Sequence, residues 1–172
     1  MSITPPAATL LAITLLEVAA PSAVNLHHPP MHCSAGPSLD VEIEAMKDRT
    51  GRIVVELYPA NEADFLQDKS KLLKDGKFFR RIAVAAPANG PARVCVSAPA
   101  PGTYAMVVIH DRDGRDKFSI GKDGIALPQA QPLGTSRPRV KQASVVFGAA
   151  PRSIRVQMQY LHGLKGFAST GK

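Results

Sequence analysis

The chain of 172 residues has no tryptophan, and only 5% of its residues are aromatic. Nucleic-acid bases and sugar rings are commonly held by stacking on aromatic side chains, so this shortage disfavours a stacking surface for either. The formal net charge of +7 would attract polyanions, but Lys and Arg are interspersed with acidic and apolar residues instead of forming one patch. We therefore do not expect the protein to bind nucleic acid.

The chain also lacks an uninterrupted apolar run of the roughly 20 residues that a membrane-spanning helix needs. An apolar stretch at residues 7–20 is followed by small residues, which is typical of a secretory signal peptide cleaved between Ala20 and Val24. Basic residues do not precede the stretch and Glu17 interrupts it, so an uncleaved membrane-attached segment and a buried N-terminal helix stay open as alternatives. We expect a signal peptide over residues 1–23, no transmembrane span in the mature chain, and a periplasmic or secreted protein.

Cysteine is scarce, since Cys33 and Cys95 are the only two. An even number in an exported chain is compatible with one disulfide, but two independent thiols, with Cys95 buried in a strand, are equally compatible with the sequence. Residues 24–38 are rich in His and Pro and predict a linker. Five neighbouring side chains in this linker are of types that bind copper or zinc: His27, His28, Met31, His32 and Cys33. Adjacent prolines and the lack of a second ligand cluster argue against a specific metal site there.

The chain is well supplied with turn formers, because it contains 15 prolines and 13 glycines. Alternating apolar and polar residues in LDVEIEAM predict a strand, and DRTG predicts a turn into a hairpin partner at residues 52–58. The spacing of apolar residues over 61–76, with Asn61 as a candidate cap, predicts one short helix. Further strands are predicted in KFFRRIAVAA, ARVCVSA, TYAMVVIH, KQASVVFG and SIRVQMQY. Of these, TYAMVVIH is the most continuously apolar and is expected to be a central strand.

This inventory predicts a mainly β protein, a single antiparallel β-sandwich of about seven strands with at most one short helix. We place the sandwich domain at residues 39–161 and a flexible tail at residues 162–172. The order APAPGTYAMVVIHDRDGRDKFSIGKDGIALP, ASVVFG, SIRVQMQY resembles the secreted bacterial family known as domain of unknown function 2141, over about residues 39–160. The resemblance implies a transthyretin-like (prealbumin-like) sandwich and export from a bacterial cytoplasm, and it implies no activity.

The most specific part of the resemblance is the acidic loop DRDGRDKFS. Family loops tend to read Asp-x-Asn-x-Asn-Gly-x-x-Asp, a spacing that could present several oxygen atoms to calcium. Here Asp111 and Asp113 keep two of these positions, Arg115 occupies the third, Asp116 stands where glycine is usual, and Ser119 replaces the final Asp. A guanidinium at a ligand position and the loss of the last carboxylate favour an ordered turn over a calcium site.

The turn interpretation makes specific structural predictions. Asp111 and Asp113 should accept hydrogen bonds from backbone N–H groups, Gly114 should be left-handed, and Arg115 should pair with a neighbouring aspartate. His110, at the end of the apolar strand, is expected to anchor this loop through hydrogen bonds instead of acting as a catalytic base.

The sequence contains no nucleophile elbow and no phosphate-binding loop. We therefore expect a non-enzymatic exported binding module whose partner is an envelope protein or a polysaccharide. A protein interface predicts an exposed apolar patch or a free sheet edge, whereas a sugar site would need more aromatics. The alternative is a periplasmic metal-binding protein that uses either the loop 111–119 or the segment 27–33. The candidate calcium ligands are Asp111, Asp113 and Asp116, and the candidate copper or zinc ligands are His27, His28, His32 and Cys33.

Overall fold

The computed structural model describes Met1, Cys33 and residues 35–169. The helices in this part are α1 Lys69–Lys74, α2 Val140–Ala143 and a 3₁₀ helix at Gly163–Lys165. The strands are β1 Ser38–Glu44, β2 Arg52–Pro59, β3 Arg80–Ala85, β4 Ala92–Ser97, β5 Gly102–Asp111, β6 Gly124–Ala126, β7 Ser144–Phe147, β8 Arg152–Gln157, β9 Gln159–Leu161 and β10 Phe167–Ser169. Of the helices formed by the described residues, none has the length and apolar character needed to span a membrane.

The strands form two sheets. The small sheet has the order β4-β1-β8. The large sheet has seven strands, six of them in the order β10-β9-β6-β5-β2-β3 and the seventh, β7, paired with β5. Along one edge, β5 pairs with β2; along its other edge, it pairs first with β7 and then with β6. The pairing of β1 with β8 is parallel, in contrast to the all-antiparallel sandwich that the sequence predicts. The position of β5 confirms the prediction of a central strand.

The two sheets pack face to face around a shared apolar core. Alternate residues of β1, β2 and β5 point into this core and are fully buried, as their period-two pattern predicts. These residues are Leu39, Val41, Ile43, Ile53, Val55, Leu57, Met106 and Val108. The structure therefore confirms a mainly β, sandwich-like domain.

The predicted hairpin between β1 and β2 is wrong, because these strands lie in different sheets. Consecutive strands often pair, and that tendency motivated the prediction. The intervening turn instead carries the chain from the small sheet to the large one. Its Gly51 has a φ of 71°, and a Cβ atom there would lie 2.2 Å from the carbonyl oxygen of Asp111. Only glycine lets this turn pack so closely against the end of β5.

The chain has ten strands and two short α-helices among the described residues, more elements than predicted. The predicted last strand is in fact two, because the chain passes from the small sheet to the large one at Met158, whose N–H donates to the carbonyl of Glu44 at 3.0 Å. Beyond residue 161, where the sequence predicts a flexible tail, the 3₁₀ helix leads into β10, which pairs with β9. Three residues of pairing are too few to leave a recognisable alternation in the sequence.

The helix predicted over 61–76 is limited to its second half. Asn61 accepts a backbone hydrogen bond within a turn instead of capping a helix. Helix α1 begins after Asp68, whose carboxylate accepts the N–H of Ser70 at 2.8 Å. Leu66, between the turn and the helix, has a φ of 59°, which interrupts helical geometry.

Cys33 and Cys95 form a disulfide with a Cα–Cα distance of 5.3 Å, a usual value for such a bond. The two cysteines are 62 positions apart in the sequence, so the bond links the segment before β1 to β4. Cys95 alternates with Val94 and Val96, which point into the core, so it lies on the outer face of the small sheet. The structure thereby selects the disulfide over two independent thiols.

Candidate functional site

The outer face of the large sheet, opposite the sandwich core, is also apolar. The residues of β2, β5 and β6 that alternate with those of the first core form a second cluster, which includes Tyr58, Val107 and Ile125. Helix α1 and the connection between β6 and α2 cover part of this face with Leu72 and Leu133. A strand that is buried on both faces reads as continuously apolar, which explains the composition of β5.

The uncovered part of this face forms a cleft of about 640 Å³. Sites for small molecules typically occupy about 300–1,000 Å³. Its lining is mainly apolar and comes from β2, β3, β5, β6, β9, β10 and the loops around them. Three of the lining side chains are large, apolar and exposed: Phe118 at 39%, Ile120 at 63% and Leu161 at 39%. Exposed apolar side chains that gather around one cleft indicate a surface that binds another molecule.

A network of charged side chains closes one end of the cleft. The hydroxyl of Tyr58 donates to the buried Glu56 carboxylate at 2.7 Å, and burial together with that negative charge raises the pKa of Tyr58. Arg81 lies 3.5 Å from the other oxygen of Glu56 and donates to Asp116 at 2.9 Å. Arg52 also donates to Asp116. Each of these acids is therefore already bound by an arginine or a hydroxyl group.

Two exposed basic side chains of the cleft lining, Lys117 and Arg137, do not belong to this network. Lys117 and Arg137 contact no acidic side chain within residues 35–169, and Arg137 donates only to the carbonyl oxygen of Leu66, at 3.4 Å. The cleft thus combines an apolar floor, acids that are neutralised by arginines, and two cations that have no acidic partner among the described residues.

The acidic loop has the hydrogen bonds that the turn interpretation predicts. One oxygen of Asp111 accepts the N–H of Gly114 at 2.8 Å, and Gly114 has a φ of 69°. One oxygen of Asp113 accepts the N–H of Arg115 at 3.3 Å, and the other lies 3.4 Å from the Arg115 guanidinium. The predictions for these four residues are confirmed.

The structure groups different carboxylates from the predicted calcium set. Asp111, Asp113 and Asp123 each present one oxygen atom within 4.8 Å of the others. Asp116, the third predicted ligand, is outside this group, because its carboxylate faces two arginines. The oxygens of Asp123 accept the N–H groups of Ser119 at 2.7 Å and of residue 112 at 3.0 Å. Calcium binding by the loop stays a prediction.

A family profile with the description "Uncharacterized protein conserved in bacteria (DUF2141)" matches residues 41–155. This chain belongs to the DUF2141 family. The DUF2141 match runs from β1 into β8, so it includes the central strands beneath the cleft and the whole acidic loop. No curated protein and no solved structure matches the chain.

Asp116 stands where DUF2141 loops usually have glycine, and its backbone conformation explains that preference. Asp116 has a φ of 62°, a left-handed conformation that Gly adopts freely and Asp tolerates better than most residues. Its carboxylate, 63% exposed, contacts both Arg52 and Arg81.

Burial alone would raise the pKa of Asp111, but hydrogen bonds from Arg52 and from the N–H groups of Asp116 and Gly114 outweigh it and lower that pKa.

His110 is fully buried and both of its ring nitrogens are occupied. Nε2 lies 2.8 Å from the carbonyl oxygen of Thr50, and Nδ1 lies 2.7 Å from the hydroxyl of Tyr160. Because a carbonyl can only accept, Nε2 carries the proton and Nδ1 accepts from Tyr160. Burial lowers the pKa of His110, which favours this neutral form. His110 thus forms hydrogen bonds as predicted, but its partners lie in β9 and in the turn before β2, so the predicted direct contact with the acidic loop is wrong.

The histidines of the predicted copper or zinc segment, His27, His28 and His32, lie outside the described residues. Cys33 is described, and its sulfur is bonded to Cys95. A disulfide sulfur is not a thiolate, so Cys33 is removed from the predicted ligand set.

No motif in the sequence indicates the cleft. Arg81, Ile109, Phe118, Leu161 and Phe167 come together there from five separate parts of the chain. The available signal was the unbroken apolar character of β5, since a strand that is apolar on both faces predicts a cover on both sides of its sheet.

Proposed function

We propose that this protein is an exported, non-enzymatic binding module whose ligand occupies the cleft on the outer face of the large sheet. The observation that carries this proposal is the incomplete cover of that face. Its apolar side chains continue from beneath α1 into an open cleft with Phe118, Ile120 and Leu161 exposed around it. Leaving these groups in water costs free energy that a bound ligand would recover.

Binding without catalysis is supported by the state of the polar groups around the cleft. General acid–base catalysis needs a group that is free to exchange a proton with the substrate. Glu56 and Asp111 are bound by arginines, and both nitrogens of His110 are occupied inside the protein. The cleft therefore offers apolar contact and charge complementarity to a ligand.

Export is supported by the disulfide between Cys33 and Cys95, because disulfides persist mainly in oxidising compartments. The proposed signal peptide over residues 1–23 would deliver the chain to the periplasm or the medium. The transthyretin-like arrangement implied by the family resemblance is part of the same proposal. Protein recovered from the periplasm of an expressing bacterium should begin after residue 20, and a cytoplasmic chain that keeps its first residues would contradict export.

The expected partners were an envelope protein or a polysaccharide, but the cleft favours a small apolar ligand over a polysaccharide. Sugars need aromatic platforms with many hydrogen-bonding groups, whereas the large apolar side chains of this lining are mostly aliphatic. An envelope protein that inserts an apolar side chain is the remaining alternative from the sequence analysis. A small ligand is favoured by the volume of about 640 Å³.

The proposal is tested with N-phenyl-1-naphthylamine, a neutral dye whose fluorescence rises in apolar surroundings. We expect the full chain to bind one dye molecule and the variant Ile109→Trp, which fills the cleft from β5, to lose that binding. The matched control is Val146→Trp, a similar change at an exposed position of β7 that does not line the cleft. Absence of dye binding, or equal binding by Ile109→Trp and the control, would overturn the proposal.

A second candidate function is calcium binding by the acidic loop, which the grouping of Asp111, Asp113 and Asp123 favours. Calorimetric titration of the full chain with calcium tests it, with Asp123→Asn as the variant. Stoichiometric binding that disappears in Asp123→Asn would support the metal site. Titration with copper and zinc, before and after replacement of His27, His28 and His32, tests the N-terminal segment in the same way.

A further inference from the structure

We propose that the ligand of the cleft is an amphipathic anion, a free long-chain carboxylate whose alkyl chain lies on the sheet and whose head group contacts Lys117 and Arg137. This inference rests on the proposed function, because it assigns a ligand class to the same cleft. It is carried by the distribution of polar and charged groups over the cleft lining.

The floor of the cleft can only bind an apolar segment. Val107, Ile109 and Ile125 present aliphatic side chains from the central strands. Among the buried polar groups of the lining, the Tyr58 hydroxyl donates to Glu56, and Asp111 is bound by Arg52. A polar ligand group placed over this floor would lose its hydration without gaining a hydrogen bond.

The charges around the cleft select the sign of the head group. The acids of the network are bound by Arg52 and Arg81, so they do not attract a cation strongly. Lys117 and Arg137 are exposed and have no acidic partner within the described part of the chain. Thr135 and Ser136 lie beside Arg137 in the same lining and can donate hydroxyl hydrogen bonds. A carboxylate would supply the missing counter-charge.

The affinity of the cleft for the carboxylate should increase with the length of the alkyl chain. Each buried methylene contributes about 0.8 kcal/mol, which corresponds to a factor of about four in affinity. We expect the affinity to rise by that factor per methylene along the series octanoate, decanoate and dodecanoate, and to level off when the chain exceeds the cleft.

The test is competition of these carboxylates with N-phenyl-1-naphthylamine on the full chain, below the micelle concentration. Dodecyltrimethylammonium is the ligand control, because it has the same alkyl chain and the opposite charge. The protein variant is Lys117→Met with Arg137→Met, which keeps the apolar stems of both side chains. We expect it to bind the neutral dye as the unmodified chain does and to bind dodecanoate about tenfold or more weakly.

The matched control variant is Lys69→Met with Arg152→Met, which removes the same net charge from two exposed positions outside the cleft. It should keep its affinity for dodecanoate. If dodecanoate and dodecyltrimethylammonium compete equally, or if both double variants behave alike, the anion proposal is overturned, while dye binding that Ile109→Trp abolishes would still support the cleft as the site.

Vesicles that contain phosphatidylglycerol distinguish the two sources of an anionic head group. We expect the protein to bind free dodecanoate and not to sediment with the vesicles. Sedimentation that depends on Lys117 and Arg137, at an affinity equal to that for dodecanoate, would assign the head group to a membrane lipid and overturn the free carboxylate.

Discussion

Inside the sandwich, the polar contact between His110 and Tyr160 joins the end of β5 to β9. The hydroxyl of Tyr160 also accepts the N–H of Lys47, in the turn that connects the two sheets. Gly124 makes room for the ring, since a Cβ atom there would lie 2.5 Å from a carbon of Tyr160. This contact thus depends on groups from four separate segments, and the Tyr160 hydroxyl can donate to Nδ1 only when His110 is neutral.

The neutral state of His110 makes stability depend on pH. Burial lowers the folded-state pKa of His110 below the unfolded value of about 6.5, so the unfolded chain takes up a proton first as the pH falls. The free energy of unfolding should therefore be constant above about pH 7 and decrease below pH 6.5, by up to about 1.4 kcal/mol per pH unit. Urea unfolding of His110→Gln between pH 5 and 7.5 should lack this decrease.

The same variant should be less stable than the unmodified chain at pH 7.5 by about 1–3 kcal/mol, because buried partners of His110 lose hydrogen bonds. His162→Gln serves as the control, since His162 is exposed and should leave the pH dependence unchanged. An equal decrease in His110→Gln and in the unmodified chain would show that other groups cause it.

At the scale of elements, the positions of the strands could be predicted from the sequence better than the pairing between strands. Strict alternation in β1 and continuous apolar character in β5 identify both strands because local burial determines these patterns. The pairing of β1 with the distant β8 leaves no local trace, nor does the change of sheet at Met158. In the acidic loop, the backbone contacts of Asp111 and Asp113 follow from nearby turn chemistry, whereas the contact with Arg52 is separated by 59 residues and was missed.

The left-handed backbone of the acidic loop yields a prediction at Asp116. Asp116→Ala and Asp116→Gly both remove the exposed carboxylate, so the ion pairs with the arginines are lost equally. Only alanine carries the steric penalty of a φ of 62°. We expect Asp116→Ala to be less stable than Asp116→Gly by about 1 kcal/mol, measured by urea unfolding.

The comparison is controlled at Lys122, an exposed residue that follows the acidic loop and does not have a positive φ. There the order should reverse, because glycine gains more entropy on unfolding than alanine does. A more stable alanine at both positions would show that the loop does not hold position 116 in the left-handed conformation.

At the scale of the whole molecule, the large sheet is buried on both faces and only one of them faces the small sheet. The cleft lies on the other face, and its lining comes from six strands and the loops between them. No short motif encodes such a surface, because each strand contributes only one to three side chains that are ordinary in their local sequence. The candidate site could therefore not be predicted before the sheet order was known.

This arrangement separates the disulfide from the cleft, because Cys95 belongs to the small sheet and the cleft to the outer face of the large sheet. A disulfide stabilises mainly by restricting the unfolded chain, and a separation of 62 residues should contribute about 2–4 kcal/mol. Cys33→Ser with Cys95→Ser should lower the free energy of unfolding by that amount in urea. Its affinity for N-phenyl-1-naphthylamine should stay unchanged at low urea, because the lining of the cleft does not include β1, β4 or the disulfide. A reductant should destabilise the unmodified chain and have no effect on the double variant. A loss of dye binding in the folded double variant would show that the small sheet and the cleft are coupled.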